Sequence, residues 1–108
     1  MTFIISSGLL AQNTNNAKKI IGVGGSYGCR DALNVEGNYV RIFKTARVNT
    51  HSLKAYKFGS VDTPIVGYFN QDDSINIVAE CGWGNGKLYE TDHGAWIGGR
   101  YLKWTSAP

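Results

Sequence analysis

An all-β fold follows from three features of the sequence. Nearly every apolar run is four to eight residues long, rich in Ile, Val, Tyr and Phe, and bounded by Gly, Asn or Asp. Fourteen glycines stand against two prolines, beside three Trp, six Tyr and four Phe, a turn-rich and aromatic composition. No segment sustains a helical apolar period; residues 9–19 come nearest, but Asn and Thr dominate them.

Taken in order, Thr2 to Ser6 reads as a first strand and Gln12 to Asn16 as a polar turn. Lys19 to Val23 reads as a second strand, stopped by Gly24 and Gly25. Gly22 to Gly28 superficially suggests a phosphate loop. Tyr27 stands where the third glycine of a dinucleotide fingerprint belongs, and no Gly-Lys-Ser or Gly-Lys-Thr follows, so a bulged turn is the better reading. Glu36-Gly37-Asn38 is a turn, and Tyr39 to Lys44 alternates as a half-buried strand. Ala46 to Asn49 is a short strand, followed by a loop from Thr50 to Thr63.

Pro64 to Phe69 is the next strand, with proline at its start where a missing N–H is harmless. After the turn Asn70 to Asp73, the run Ser74 to Glu80 places Ile75, Ile77 and Ala79 on one face. Gly82 to Gly86 is a glycine-rich turn carrying Trp83. Lys87 to Thr91, the hairpin turn Asp92-His93-Gly94 and Ala95 to Ile97 complete the set.

A chain of 108 residues buries about two-thirds of its unfolded surface, enough for a core without staples. The net charge of +3 selects no partner by itself. Its distribution is uneven: eight basic residues lie between Lys18 and Lys57 against Asp31 and Glu36, a net +6, and the remainder carries −3. An acidic or phosphate-bearing partner is conceivable if the basic residues share a face; a solvated surface is the plainer reading. Cys29 and Cys81 lack metal-ligand spacing. They suit one disulfide in an oxidising compartment and two buried thiols in a reducing one. The N-terminal apolar run has no basic region before it and is too short to span a bilayer, so no membrane partner is expected. That points to a cytoplasmic or phage-delivered protein, unless the chain is a fragment of an exported one.

From about Arg47 to Leu102 the order of elements resembles the bacterial SH3-like (SH3b) family. Ala46-Arg47-Val48-Asn49 approximates the family's opening strand, Ile65-Val66-Gly67-Tyr68-Phe69 its Val-Ile-Gly-x-Leu strand, and Ser74 to Val78 its β-branched strand. Leu88-Tyr89-Glu90 matches the Tyr-centred strand. Gly94-Ala95-Trp96-Ile97-Gly98-Gly99-Arg100-Tyr101-Leu102 matches the closing Gly-Trp-Val-x-x-x-Tyr-Leu with one inserted alanine. Thr50-His51-Ser52-Leu53 replaces the family's Arg-Ser-Gly-Pro. The resemblance implies a small SH3-like barrel over residues 45–104, with an N-terminal β extension over 1–44 and a tail at 105–108.

The resemblance also implies a non-enzymatic binding module that recognises peptidoglycan or a peptide through surface aromatics. Tyr56, Phe58, Trp83, Tyr89 and Tyr101 are the candidate ligand-binding residues, since aromatic rings offer large contact area at small entropic cost. Core packing competes for Tyr89 and for Trp96, which sit in strands. Trp83, flanked by glycines, has few expected neighbours unless a ligand supplies them. Asp72-Asp73 and Asp92-His93 read as turn residues, because adjacent side chains in a hairpin rarely converge on one atom. His51, His93, Cys29 and Cys81 show neither a nucleophile signature nor zinc-clamp spacing, so no catalytic residue, metal or cofactor is expected. Two rival functions remain: an intracellular, phage-encoded interaction, inhibitor or assembly domain, and nucleic-acid binding through residues 18–57 with Tyr39, Phe43 and Tyr56.

Overall fold

A computed structural model describes residues 20–84 and 86–105. The expected strand Thr2–Ser6, the turn Gln12–Asn16, Lys18, Lys19 and most of the tail lie outside that range. The described residues are all-β, as expected. Seven strands run Asn38–Val48 (β1), Ser52–Tyr56 (β2), Ile65–Asn70 (β3), Ser74–Trp83 (β4), Gly86–Thr91 (β5), Trp96–Gly98 (β6) and Leu102–Trp104 (β7). They form one antiparallel sheet in the order β3-β2-β6-β5-β4-β1-β7.

Among the described residues β3 and β7 are the free edges, so the sheet is not a closed barrel. It nevertheless bends onto itself. Val48 of β1, Leu53 and Ala55 of β2, Phe69 of β3, Ile75 and Ile77 of β4 and Ile97 of β6 share one buried cluster. Residues from opposite ends of a flat sheet would not meet in this way. The hydrophobic effect drives the bend, because a single sheet has no other layer against which to bury its apolar face.

β4 is the spine. Its burial alternates through Ile75, Ile77, Ala79 and Cys81, as the sequence pattern requires, and the strand runs on through Gly82 and Trp83. The turn therefore begins two residues later than Gly82, the position expected from glycine content. β1 is a single strand from Asn38 to Val48, crossing the expected boundary at residues 44 and 45 without a break. A register shift between Arg41 and Lys44 supplies the extra residue that lets so long a strand bend. β2 lies inside the expected Thr50–Thr63 loop, with Leu53 and Ala55 turned inward. The Asp92–Gly94 turn forms as expected: Thr91 N–H donates to Ala95 O, and Gly94 adopts φ 85°.

Ile20 to Val23 is not a strand. This segment crosses the sheet as a strap, with Val23 N–H donating to Lys57 O at 2.7 Å and Trp96 Nε1 donating to Val23 O at 2.8 Å. Gly25 N–H donates to the Glu90 carboxylate, and a 3₁₀ turn at Ser26–Gly28 leads to Cys29. The glycines that suggested a phosphate loop serve instead to bring backbone against the sheet.

Candidate functional site

The second buried cluster organises the site. Cys29 and Cys81 form a disulfide, with Cα atoms 5.4 Å apart, packed with Leu88 and the fully buried Trp96. The alternative of two free thiols is thereby removed, together with any thiolate nucleophile or cysteine ligand. Tyr39, Tyr56 and Trp83 pack around this cluster.

The disulfide ties a small hairpin to β4. Arg30 and Glu36 form an isolated antiparallel bridge, and their side chains pair at 3.4 Å. Asp31 Oδ1 accepts from the N–H groups of Leu33 and Val35, each at 2.9 Å, which fixes the turn. Gly37 N–H returns to Cys29 O at 2.8 Å. The loop after β2 is held similarly: Gly59 N–H donates to Gly28 O, and Thr63 Oγ1 donates to Ser60 O at 2.8 Å.

Trp83 stands between these two loops. Its Nε1 donates to Gly59 O at 3.2 Å, and its ring edge lies against Gly37 beside the disulfide. Sequence reasoning expected few neighbours for this residue; the disulfide hairpin provides them, leaving the indole half-buried. It lines two shallow grooves. One, of roughly 460 Å³, includes Glu36, Asn38, Glu80 and Lys87. The other, of roughly 480 Å³, includes Asp31, Ser60, Val61, Asp62, Lys87 and Leu88. Glu80 pairs with Lys87 at 3.3 Å, and Asp62 accepts from the Ser60 hydroxyl.

The five expected binding residues do not form one surface. Tyr56 and Trp83 share the disulfide cluster, and Phe58 immediately precedes the Gly59 carbonyl that accepts from Trp83. Tyr89 packs partly into the other cluster and meets Trp104 edge-on at 5.1 Å. Tyr101 is exposed, with the Arg100 guanidinium 5.4 Å from its ring centroid. Trp96 is core, as its strand position suggested, and Leu102 is half-buried in β7, a strand beyond those expected.

A third groove, of roughly 550 Å³, lies on the strap side and includes Tyr39, Arg41, Glu90, Asp92 and His93. Here sequence reasoning missed a relationship. Glu90 is 6% exposed, and its carboxylate accepts from Tyr39 OH and from Gly25 N–H, both at 2.8 Å. Burial first, then the hydrogen bond and charge of Glu90, push the Tyr39 phenol up to about 12, against a smaller opposing pull from Arg41. Asp92 and His93 are turn residues, as expected, and their side chains meet, with Nδ1 and Oδ1 3.2 Å apart. The nearby Thr91 hydroxyl oxygen accepts from His93 N–H and is buried, so it is not presented as a nucleophile. Among the described residues no three of His, Cys, Asp and Glu converge as a metal cage.

Four basic residues of the Lys18–Lys57 segment, among the described residues, are spread over separate aromatic rings. Arg30 lies over Tyr27, Arg41 over Phe43, Lys44 over Trp104 and Lys57 over Phe58, at 4.5–5.9 Å from the ring centroids. No protein-family model, curated protein or solved structure matches the chain.

Proposed function

We propose that the protein is a non-enzymatic binding module of the bacterial SH3-like type, holding an extended peptide or the peptide stem of peptidoglycan against Trp83. The observation that carries this reading is the placement of Trp83: a half-buried indole, anchored through its N–H and backed by a disulfide, with open grooves on two sides. A rigid aromatic anchor flanked by polar groups is what recognition of an extended ligand uses. The buried disulfide favours an oxidising setting, and so favours this reading over an intracellular inhibitor or assembly factor. Sedimentation with purified cell walls, and chemical-shift changes at the Trp83 indole with soluble muropeptides, test it. Trp83→Ala should abolish the sedimentation. Failure of the unmodified protein to do either overturns the reading.

A second reading has one specific observation in its favour. Arg47 faces Lys103 directly across β1 and β7, a like-charge pair that disfavours the free protein, with Lys44 and Trp104 adjoining. A nucleic acid along that edge would relieve the repulsion. Binding to single-stranded oligonucleotides that weakens steeply with salt, and is lost in Arg47→Ser, would favour it.

A further inference from the structure

Resting on the Trp83 reading, we infer that the grooves beside Trp83 recognise a lysine-type ammonium group on the bound peptide, seated against the indole and among the surrounding carboxylates. Three observations lead there. The chain is net +3, yet the residues lining these two grooves include four carboxylates, Asp31, Glu36, Asp62 and Glu80, against the single ammonium of Lys87. Such a local reversal of sign concentrates cations at the site.

Two of the four carboxylates are also without an ionic partner among the described residues. Glu36 and Glu80 pair with Arg30 and Lys87. Asp31 and Asp62 have no ionic partner among the described residues; one oxygen of each serves its own loop, and the other is left to accept. Both line the same groove as Trp83.

The third observation concerns the aromatics. Tyr27, Phe43, Phe58, Tyr101 and Trp104 each already carry an Arg or Lys of this chain over the ring. Among the described residues no cation lies over Trp83, although tryptophan presents the most favourable face for one. An incoming ammonium would find there an unoccupied indole and free carboxylate oxygens within one groove. A neutral or anionic ligand would leave those carboxylates uncompensated.

The test is calorimetric titration of the full chain with acetyl-Ala-Lys-Ala-amide and with the same peptide acetylated at Nε. A third peptide, carrying a free N-terminal amine and no lysine, separates side-chain from α-amino recognition. Nε-acetylation should weaken binding by about 3- to 30-fold. Asp62→Asn, at an exposed loop position where folding is not at stake, should reduce the preference for the unmodified lysine. Equal affinity for the two lysine peptides, or binding of neither, overturns the inference. If cell walls still sediment the protein through Trp83 in that case, the binding-module reading survives without it. If Trp83→Ala leaves wall binding intact, that reading itself falls.

Discussion

Tyr39 and Glu90 meet through a 2.8 Å hydrogen bond that spans β4, the strand lying between theirs in the sheet. The register explains how they reach each other. Tyr39 is opposite Cys81, Glu90 is opposite Ala79, and the small, fully buried Ala79 leaves space above the sheet. The same carboxylate also holds Gly25, so one buried charge fastens the strap to the two strands beneath it.

This carboxylate should matter to stability. Glu90→Ala leaves the Tyr39 hydroxyl and the Gly25 N–H without their acceptor, and a loss of about 1–3 kcal/mol is expected from unmade charge-assisted bonds. Urea unfolding at neutral pH measures it. A change indistinguishable from zero would mean that water replaces the carboxylate freely.

The same bond sets an alkaline limit. The folded state holds the Tyr39 proton to about pH 12, whereas an unfolded tyrosine releases it near 10.0. The folded state therefore binds more protons in that interval. The contribution is complete below pH 10.0 and is lost as pH rises toward about 12. The unfolding midpoint should fall across that window by more in the unmodified protein than in Tyr39→Phe. Parallel pH profiles for the two proteins would refute the assignment.

The disulfide closes a loop of 52 residues, which restricts the unfolded chain far more than the folded one. Removing it by the double substitution Cys29→Ala and Cys81→Ala should cost about 4 kcal/mol by loop-closure entropy. It should also loosen the Arg30–Glu36 hairpin that supports Trp83. Denaturant unfolding with and without reductant checks the first effect, and line broadening of the Trp83 indole resonance checks the second. A sharp, unshifted indole in the double variant would show that Trp83 is positioned without the cross-link.

Where the sequence carried local periodicity, the fold was legible in it. Ile75, Ile77 and Ala79 alternate inward as their spacing requires, and Asp92-His93-Gly94 turns where its composition says it should. β1 reads as two strands in the sequence because polar Lys44 and Thr45 interrupt its apolar run, although the backbone passes through them as a single strand. β2 was hidden because Ala55 is a weak apolar signal, although it is fully buried. The site was less legible than the fold. Trp83 could be singled out by its glycine neighbours, but its support comes from Cys29, Gly37 and Gly59, which only folding brings beside it. No spacing rule links Tyr39 to Glu90 either. Their meeting depends on the register of two strand pairs at once.

The glycines offer a contrast between positions that fit only glycine and positions that merely contain it. A Cβ at Gly28 would overlap the Val23 carbonyl oxygen, the same oxygen that accepts from Trp96 Nε1. At Gly37 it would lie 2.6 Å from Cys81 Sγ and 2.8 Å from the Trp83 ring. Neither neighbour is the free end of a flexible chain, so alanine at either position forces the strap or the hairpin off the sheet, at about 1–3 kcal/mol or more. Nothing lies within 4 Å of a Cβ at Gly84, beside the β4–β5 turn, and its φ does not demand glycine. There alanine should be neutral, or stabilising by about 0.4–1 kcal/mol through the unfolded chain. Thermal melts of Gly28→Ala, Gly37→Ala and Gly84→Ala should separate the first two from the third. Gly37→Ala should in addition weaken any ligand that binds at Trp83, because the indole rests on that glycine. Loss of stability in Gly84→Ala comparable to that in Gly28→Ala would contradict the close-packing account of the strap.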